Sequence, residues 1–285
     1  MVRVELIKAF SMNNQGGNPA GVVIDADTLS GSQMQEIAAE VGYSETAFVQ
    51  SSDIANYKVR FFTPNAEVDL CGHATIATFS SMALKGLLKP GHITQETKAG
   101  VLKLDIKEDQ TVIMEQAKPA FYEMPNEEEV LRSLGLSLGA RHETLHLQIV
   151  STGLKDLFIP LKSKAYLSGI KPDFARIREI SKKLGVTGYH VFVLDAPEGY
   201  TASCRNFAPL YDIPEESATG TSSGALASYL WKHKIVESPD MTFIQGVDMG
   251  SPSEIRAQLV ITDGEIQEVW VGGRAHTTGV KEIEK

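Results

Sequence analysis

Few stretches of this 285-residue chain combine residue types that can move protons or hold anions. Glu45 stands directly before the apolar run TAFV, where a strand would draw its carboxyl group partly out of bulk water. A carboxyl group whose pKa is raised by burial both takes and gives a proton near neutral pH, which is what moving hydrogen between carbons of a small acid requires. Two glycine-led segments, Gly72-His73 and Gly220-Thr221-Ser222, open uncharged runs that read as helices. A helix N-terminus presents unpaired N–H groups and partial positive charge, so it binds anions. Glycine at the entry lets a ligand approach the backbone. Thr221 and Ser222 add hydroxyl donors, and His73 adds a ring that could position a substrate or hold a proton near pH 7. The set suits a small carboxylate-bearing substrate. Asn18, in GNPAG, is a turn residue before Pro19 and a candidate substrate contact.

Other chemistry is less well supported. His142-Glu143-Thr144-Leu145-His146 matches HExxH, which binds zinc when a helix brings both histidines to one face. Here Leu145, Leu147 and Ile149 alternate with His146, Gln148 and Val150, which predicts a strand from 145 to 150. Four residues of strand span about 13 Å, too far for one ion. No metal site is expected. No dinucleotide fingerprint or P-loop is present, so no cofactor is implied. The two cysteines, Cys71 and Cys204, are far apart in sequence, and no disulfide is expected.

The elements that must position these residues are repeated. Ile37–Gly42 (IAAEVG) recurs as ISKKLG at Ile180, and RFFTP at Arg60 recurs as RNFAP at Arg205. CGHA at Cys71 is matched by TGTS at Thr219, so the offset grows from 143 to 148 residues in constant order. The reading is a duplication of about 140 residues. Residues 33–41 and 174–184 are predicted surface helices, while 73–84 and 221–230 carry no charge on any face and are predicted to be buried all round. Strands are expected at 101–106, 111–116, 191–195 and 268–271, with a link between halves near 119–143. The expected fold class is α+β: residues 1–120 form a first half, with room for its last strand to come from the C-terminus, and residues 121–285 form a second. Each half is pictured as a sheet wrapped around a central helix.

A net charge of −9 and a pI near 5.3 argue against a nucleic-acid partner, since no basic field exists to release counterions. No run approaches the length of a membrane span, and MVRVELIKAF does not read as a signal peptide. A cytoplasmic setting is the default expectation.

Longer blocks identify a family. GGNPAGVV (16–23), SETAFV (44–49), RFFTPNAEVDLCGHAT (60–75), RNFAPLYDIPEESATGTSSGALA (205–227) and QGVDMGSPS (245–253) resemble the signature blocks of PhzF-like proteins of phenazine biosynthesis. They span nearly the whole chain in family order. The family lies in the diaminopimelate-epimerase superfamily. The resemblance implies two pseudo-symmetric β-barrels, each around a central helix, with the active site in the cleft between them and the two helix N-termini facing one another. It also implies a homodimer. Its acid–base glutamate matches Glu45, its active-site histidine matches His73, and its second carboxylate matches Glu216, where relatives more often carry Asp. Racemases of the superfamily open each central helix with a cysteine; Cys71 stands at the first position and Thr219 near the second.

Three readings follow. The leading one is a cofactor-independent isomerase moving hydrogen within a small carboxylated substrate, trans-2,3-dihydro-3-hydroxyanthranilate isomerase-like. The second is an amino-acid epimerase or racemase using Cys71, against which Thr219 counts because its hydroxyl is far too weak an acid to replace a thiolate. The third is a non-catalytic small-acid binding protein.

Overall fold

A computed structural model describes residues 1–123 and 126–284. Met124 and Pro125 fall within the expected link at 119–143 and lie outside the described residues. The fold is mixed α/β, rich in strands with few helices. Contacts divide the chain into two units, Met1–Glu115 with Gly272–Lys285, and Gln116–Val271.

The first unit runs β1 (Val2–Ala9), β2 (Asn18–Val23), α1 (Gly31–Val41), β3 (Thr46–Gln50), β4 (Tyr57–Phe62), β5 (Glu67–Val68), α2 (Gly72–Leu84), β6 (Gly91–Thr97), β7 (Gly100–Ile106) and β8 (Val112–Gln116). Parallel β2 and β3 register Gly21 on Thr46 and Val22 on Ala47. Strand β4 then pairs antiparallel with β3 and parallel with β6, and β7 returns antiparallel. Helix α1 fills the first parallel crossover. Ser30 caps it by accepting the Gln33 N–H in a capping box, and Gly42 ends it in the left-handed region at φ 74°. It buries Met34, Ile37 and Ala38 and leaves its other face polar. Helix α2 fills the second crossover with Ala74 through Ala83 all buried. Both its threonine hydroxyls bond back within the helix, Thr75 donating to the Cys71 carbonyl (2.8 Å) and Thr78 to that of Ala74 (2.7 Å), while Ser81 donates outside it to Glu5.

The second unit runs β9 (Ala120–Phe121), α3 (Glu127–Ser133), β10 (Gln148–Ser151), β11 (Lys155–Pro160), α4 (Lys164–Ser168), α5 (Phe174–Leu184), β12 (Gly188–Val193), β13 (Ala202–Ala208), β14 (Ile213–Glu216), α6 (Gly220–Lys232), β15 (Asp240–Gln245), β16 (Ser253–Thr262) and β17 (Glu265–Gly273). The pairing series is the same: β11 parallel to β12, β12 antiparallel to β13, β13 parallel to β15, β15 antiparallel to β16. Helix α5 is capped by Asp173 and ended by left-handed Gly185, and buries Ile177 and Ile180. Helix α6 is buried from Ser222 to Leu230. Gly224 lets it approach its surroundings, since a Cβ there would meet Val271 Cγ2 at 2.7 Å. The final strand, β18 (Ala275–Ile283), pairs antiparallel with β1 in the first unit.

One repeated block has the same contacts in both units. Arg60 forms a two-point ion pair with Glu67 (2.7 and 3.0 Å) and lies over the Phe62 ring. Arg205 does the same with Glu215 (both 2.8 Å) and Phe207. The Arg-x-Phe spacing thus places a guanidinium between a carboxylate and a ring.

The expected strand at 145–150 is corrected, because regular pairing begins only at Gln148. Before it, the Thr144 and Leu145 N–H groups donate to His142 Nδ1 and close a turn. Leu145 and Leu147 are buried while His146 is half exposed, so the alternation reflects burial rather than strand pairing. The HExxH stretch is therefore neither helix nor strand. Its His146 lies beside Arg141 and Glu127. Among the described residues, no helix is long and apolar enough to cross a membrane.

Candidate active site

In the first unit, the end of the β2–β3 crossover and the start of α2 meet. Glu45 precedes β3, and its carbonyl accepts the Gly21 N–H (3.0 Å). This fixes its backbone beside β2 while its side chain is 20% exposed, the partial burial expected from TAFV. Its Oε2 lies 3.3 Å from His73 Nε2. That separation suits an ion pair, but the angles make no hydrogen bond, and Oε2 is buried without one.

His73 is the second residue of α2 and is also nearly enclosed. Its Nε2 is 3.4 Å from the Ser44 hydroxyl, its Nδ1 is 3.4 Å from Cys71 Sγ, and the ring hydrogen-bonds the Pro19 carbonyl. Burial pushes its pKa below the ordinary histidine value, with the Glu45 carboxylate and the Pro19 carbonyl pulling the other way. Burial thus favours the neutral ring, which suits the positioning role that the sequence offered for it beside that of a proton holder. Cys71 is the N-cap of α2 but makes no side-chain cap, so the helix begins without one. Gly72 is open enough that a Cβ would meet only Met114 Cε, at 3.9 Å. Asn18 is buried at the start of β2, one residue before Pro19.

The second unit has a comparable helix start. Thr219 is the N-cap of α6, again with no side-chain cap. Its hydroxyl is 3.4 Å from Glu216 Oε2, and Gln245 Nε2 donates to Thr219 Oγ1 (3.0 Å) and to the Glu216 carbonyl (2.7 Å). Glu216, Gly220 and Thr221 are all partly exposed. Ser222 differs from expectation. Its hydroxyl turns inward and donates to Asp156 Oδ2 at 2.5 Å, so it is engaged inside the unit.

Sequence reasoning missed Ser44, the Pro19 carbonyl, Gln245 and Asp156. Asp156 is buried, accepts the Gly188 N–H (3.1 Å) and the Ser222 hydroxyl, and its pKa is lifted to about 6 by burial. Asn206 lies between Ser222 and His190 Nδ1 (3.4 and 3.1 Å), and burial pushes His190 down to about 3. A signal existed: Asp156 heads the apolar run LFIP as Glu45 heads TAFV.

The arrangement offers one carboxylate with an unpaired oxygen beside a neutral imidazole and a thiol. Each unit, taken by itself, also offers one uncapped helix start, that of α2 in the first and that of α6 in the second. Such groups can bind a small anion and move a proton at carbon.

Comparison with known proteins agrees in extent and kind. The family model of phenazine biosynthesis-like proteins, PhzC-PhzF, matches residues 7–279. An uncharacterized isomerase of Clostridium acetobutylicum is 35% identical over 282 residues, covering 94% of this chain and 93% of its own. The trans-2,3-dihydro-3-hydroxyanthranilate isomerase of Pseudomonas chlororaphis is 30% identical over 282 residues, covering 96% of both chains. The crystal structure of a Bacillus anthracis PhzF-family phenazine biosynthesis protein superposes with a TM-score of 0.90 at 29% identity, covering 100% of this chain and 99% of that one.

Proposed function

Given that the chain belongs to the PhzC-PhzF family of phenazine biosynthesis-like proteins and is an isomerase of that family, we propose that it shifts hydrogen within a small carboxylate-bearing substrate by carboxylate acid–base catalysis, without a cofactor. Glu45 is the group that takes and returns the proton. The observation that carries this is its Oε2, buried, free of hydrogen bonds and 3.3 Å from His73 Nε2. A base whose lone pair is not already engaged is ready for a substrate C–H. His73, held by Ser44 and Pro19, orients the reacting group. Glu216 is the second carboxylate, and the backbone N–H groups at Gly72, Gly220 and Thr221 are the anion donors. Asn18 contributes to substrate positioning.

The substrate class follows the Pseudomonas chlororaphis relative: a cyclic, unsaturated, hydroxylated amino acid of the trans-2,3-dihydro-3-hydroxyanthranilate kind. The longer Glu216 moves the second carboxylate by one methylene from the usual Asp, so a related acid of different shape is accepted. The protein is a homodimer built from a duplicated half, each half a barrel around its central helix. The matching Arg60–Glu67–Phe62 and Arg205–Glu215–Phe207 contacts support the duplication.

The test is a panel of cyclic unsaturated carboxylic acids, including that compound, followed by titration calorimetry and turnover. Glu45→Gln is expected to keep ligand affinity while turnover falls by about 10²–10⁴-fold, the usual worth of a general acid–base. Equal turnover in the variant would overturn the assignment. Racemisation of an amino acid that Cys71→Ser abolishes would favour the second reading.

A further inference from the structure

We propose that Glu45, Cys71 and His73 together form a capture site for one thiophilic divalent transition-metal ion, Zn²⁺ above all, and that the captured ion inhibits the protein. The three donors come from the residue before β3, the N-cap of α2 and the second residue of α2. One ligand atom from each lies within 4.8 Å of the others. His73 Nε2 is 3.3 Å from Glu45 Oε2 and 4.0 Å from Cys71 Sγ. Around a tetrahedral zinc ion, with Zn–S near 2.3 Å and Zn–N and Zn–O near 2.0 Å, the N···O edge is about 3.3 Å and the N···S edge about 3.5 Å. The first edge is already in place, the second needs a closure of about half an ångström, and the Sγ-to-carboxylate edge, within 4.8 Å against about 3.5 Å, needs the largest, up to about 1.3 Å.

The donor chemistry selects the ion. A thiolate, an imidazole and a carboxylate suit zinc and its neighbours rather than magnesium or calcium, which want oxygen ligands only. An independent observation points the same way. Glu45 Oε2 is buried and accepts no hydrogen bond, so a lone pair lies unspent inside the cluster. Binding converts the Cys71 thiol to thiolate and releases its proton to solvent. The +2 ion is then balanced by thiolate and carboxylate. Three protein ligands leave a fourth position for water. With Oε2 ligated, the oxygen that lies 3.3 Å from His73 is no longer offered to a substrate proton, and the ion occupies the space where the substrate would meet it.

The experiment needs no substrate, so its outcome is separable from that of the isomerase assay. Metal-stripped full-length protein is titrated with Co²⁺, which reports its ligands by absorption. A near-ultraviolet thiolate-to-cobalt band and visible bands of tetrahedral strength are expected, saturating at one ion per chain and abolished by Zn²⁺. Cys71→Ser is expected to lose the near-ultraviolet band. Cys204→Ser, altering a buried thiol in β13, is expected to keep it. X-ray absorption at the zinc edge of the wild type should show one sulfur neighbour among lighter ligands. It decides the matter even if Cys71→Ser fails to fold. No thiolate band in the wild type, a band that survives Cys71→Ser, or a zinc shell without sulfur would each overturn the proposal.

Discussion

Replacing Asp156 by Asn tests how the second unit's helix start is built. Asp156 is buried between the Gly188 N–H and the Ser222 hydroxyl, and burial lifts its carboxyl from 3.8 to about 6. The folded state therefore holds a proton that the unfolded state releases between those pH values. Stability contributed by this group is present below about pH 4 and is lost as pH rises to about 6. At about 1.4 kcal/mol per pH unit, the ionised form costs about 3 kcal/mol at pH 7. Asn is neutral at every pH and keeps an acceptor for the Gly188 N–H, while its Nδ2 donates to a Ser222 hydroxyl that turns from donor to acceptor. Urea unfolding of both proteins should thus show a stability difference that moves in favour of Asn by about 2 kcal/mol between pH 4 and pH 7. Constant packing differences cancel in this comparison, and so does titration of His190 if both proteins share it. A difference that stays flat with pH, or moves in favour of Asp, would refute a net cost for the buried carboxylate.

Gly224→Ala should lower stability by about 1–3 kcal/mol in the same assay, because its Cβ would press on Val271 Cγ2 at 2.7 Å and Val269 Cγ1 at 3.1 Å. Arg205→Lys should destabilise by about 1–3 kcal/mol, since a single ammonium cannot replace the two-point contact to Glu215 or the bond to the Leu167 carbonyl. Glu67, held near 2 by Arg60 and Lys98, contributes stability present above about pH 4.5 and lost as pH falls towards 2; Glu67→Gln should flatten acid unfolding in that window.

Much of this was legible in the sequence, and the residues show why. The uncharged runs at 73–84 and 221–230 lack any polar face, so burial as helices was the only way to use them. The capped amphipathic helices α1 and α5 were readable from Ile37, Ile177 and Ile180 spacing, closed by Gly42 and Gly185. Glu45 was visible because an acid before an apolar strand is an anomaly. Asp156 carries the same anomaly, but it stands outside the longer recognisable blocks and passed unread. The inward turn of Ser222 depends on Asp156, 66 residues away, and no local pattern encodes it. The lowered His73 pKa likewise comes from burial of the ring at the start of α2, which only the folded chain produces. The strand expected at 145–150 failed at its first half because alternating burial also arises in a turn packed on one side.

The central claim is that hydrogen moves through Glu45 and not through Cys71. The most direct measurement is deuterium incorporation from heavy water into a turned-over substrate, followed by mass spectrometry for wild type, Glu45→Gln and Cys71→Ser. The account predicts incorporation at the wild-type rate in Cys71→Ser and a fall of about 10²-fold or more in Glu45→Gln. Rapid incorporation by Glu45→Gln together with loss in Cys71→Ser would contradict it.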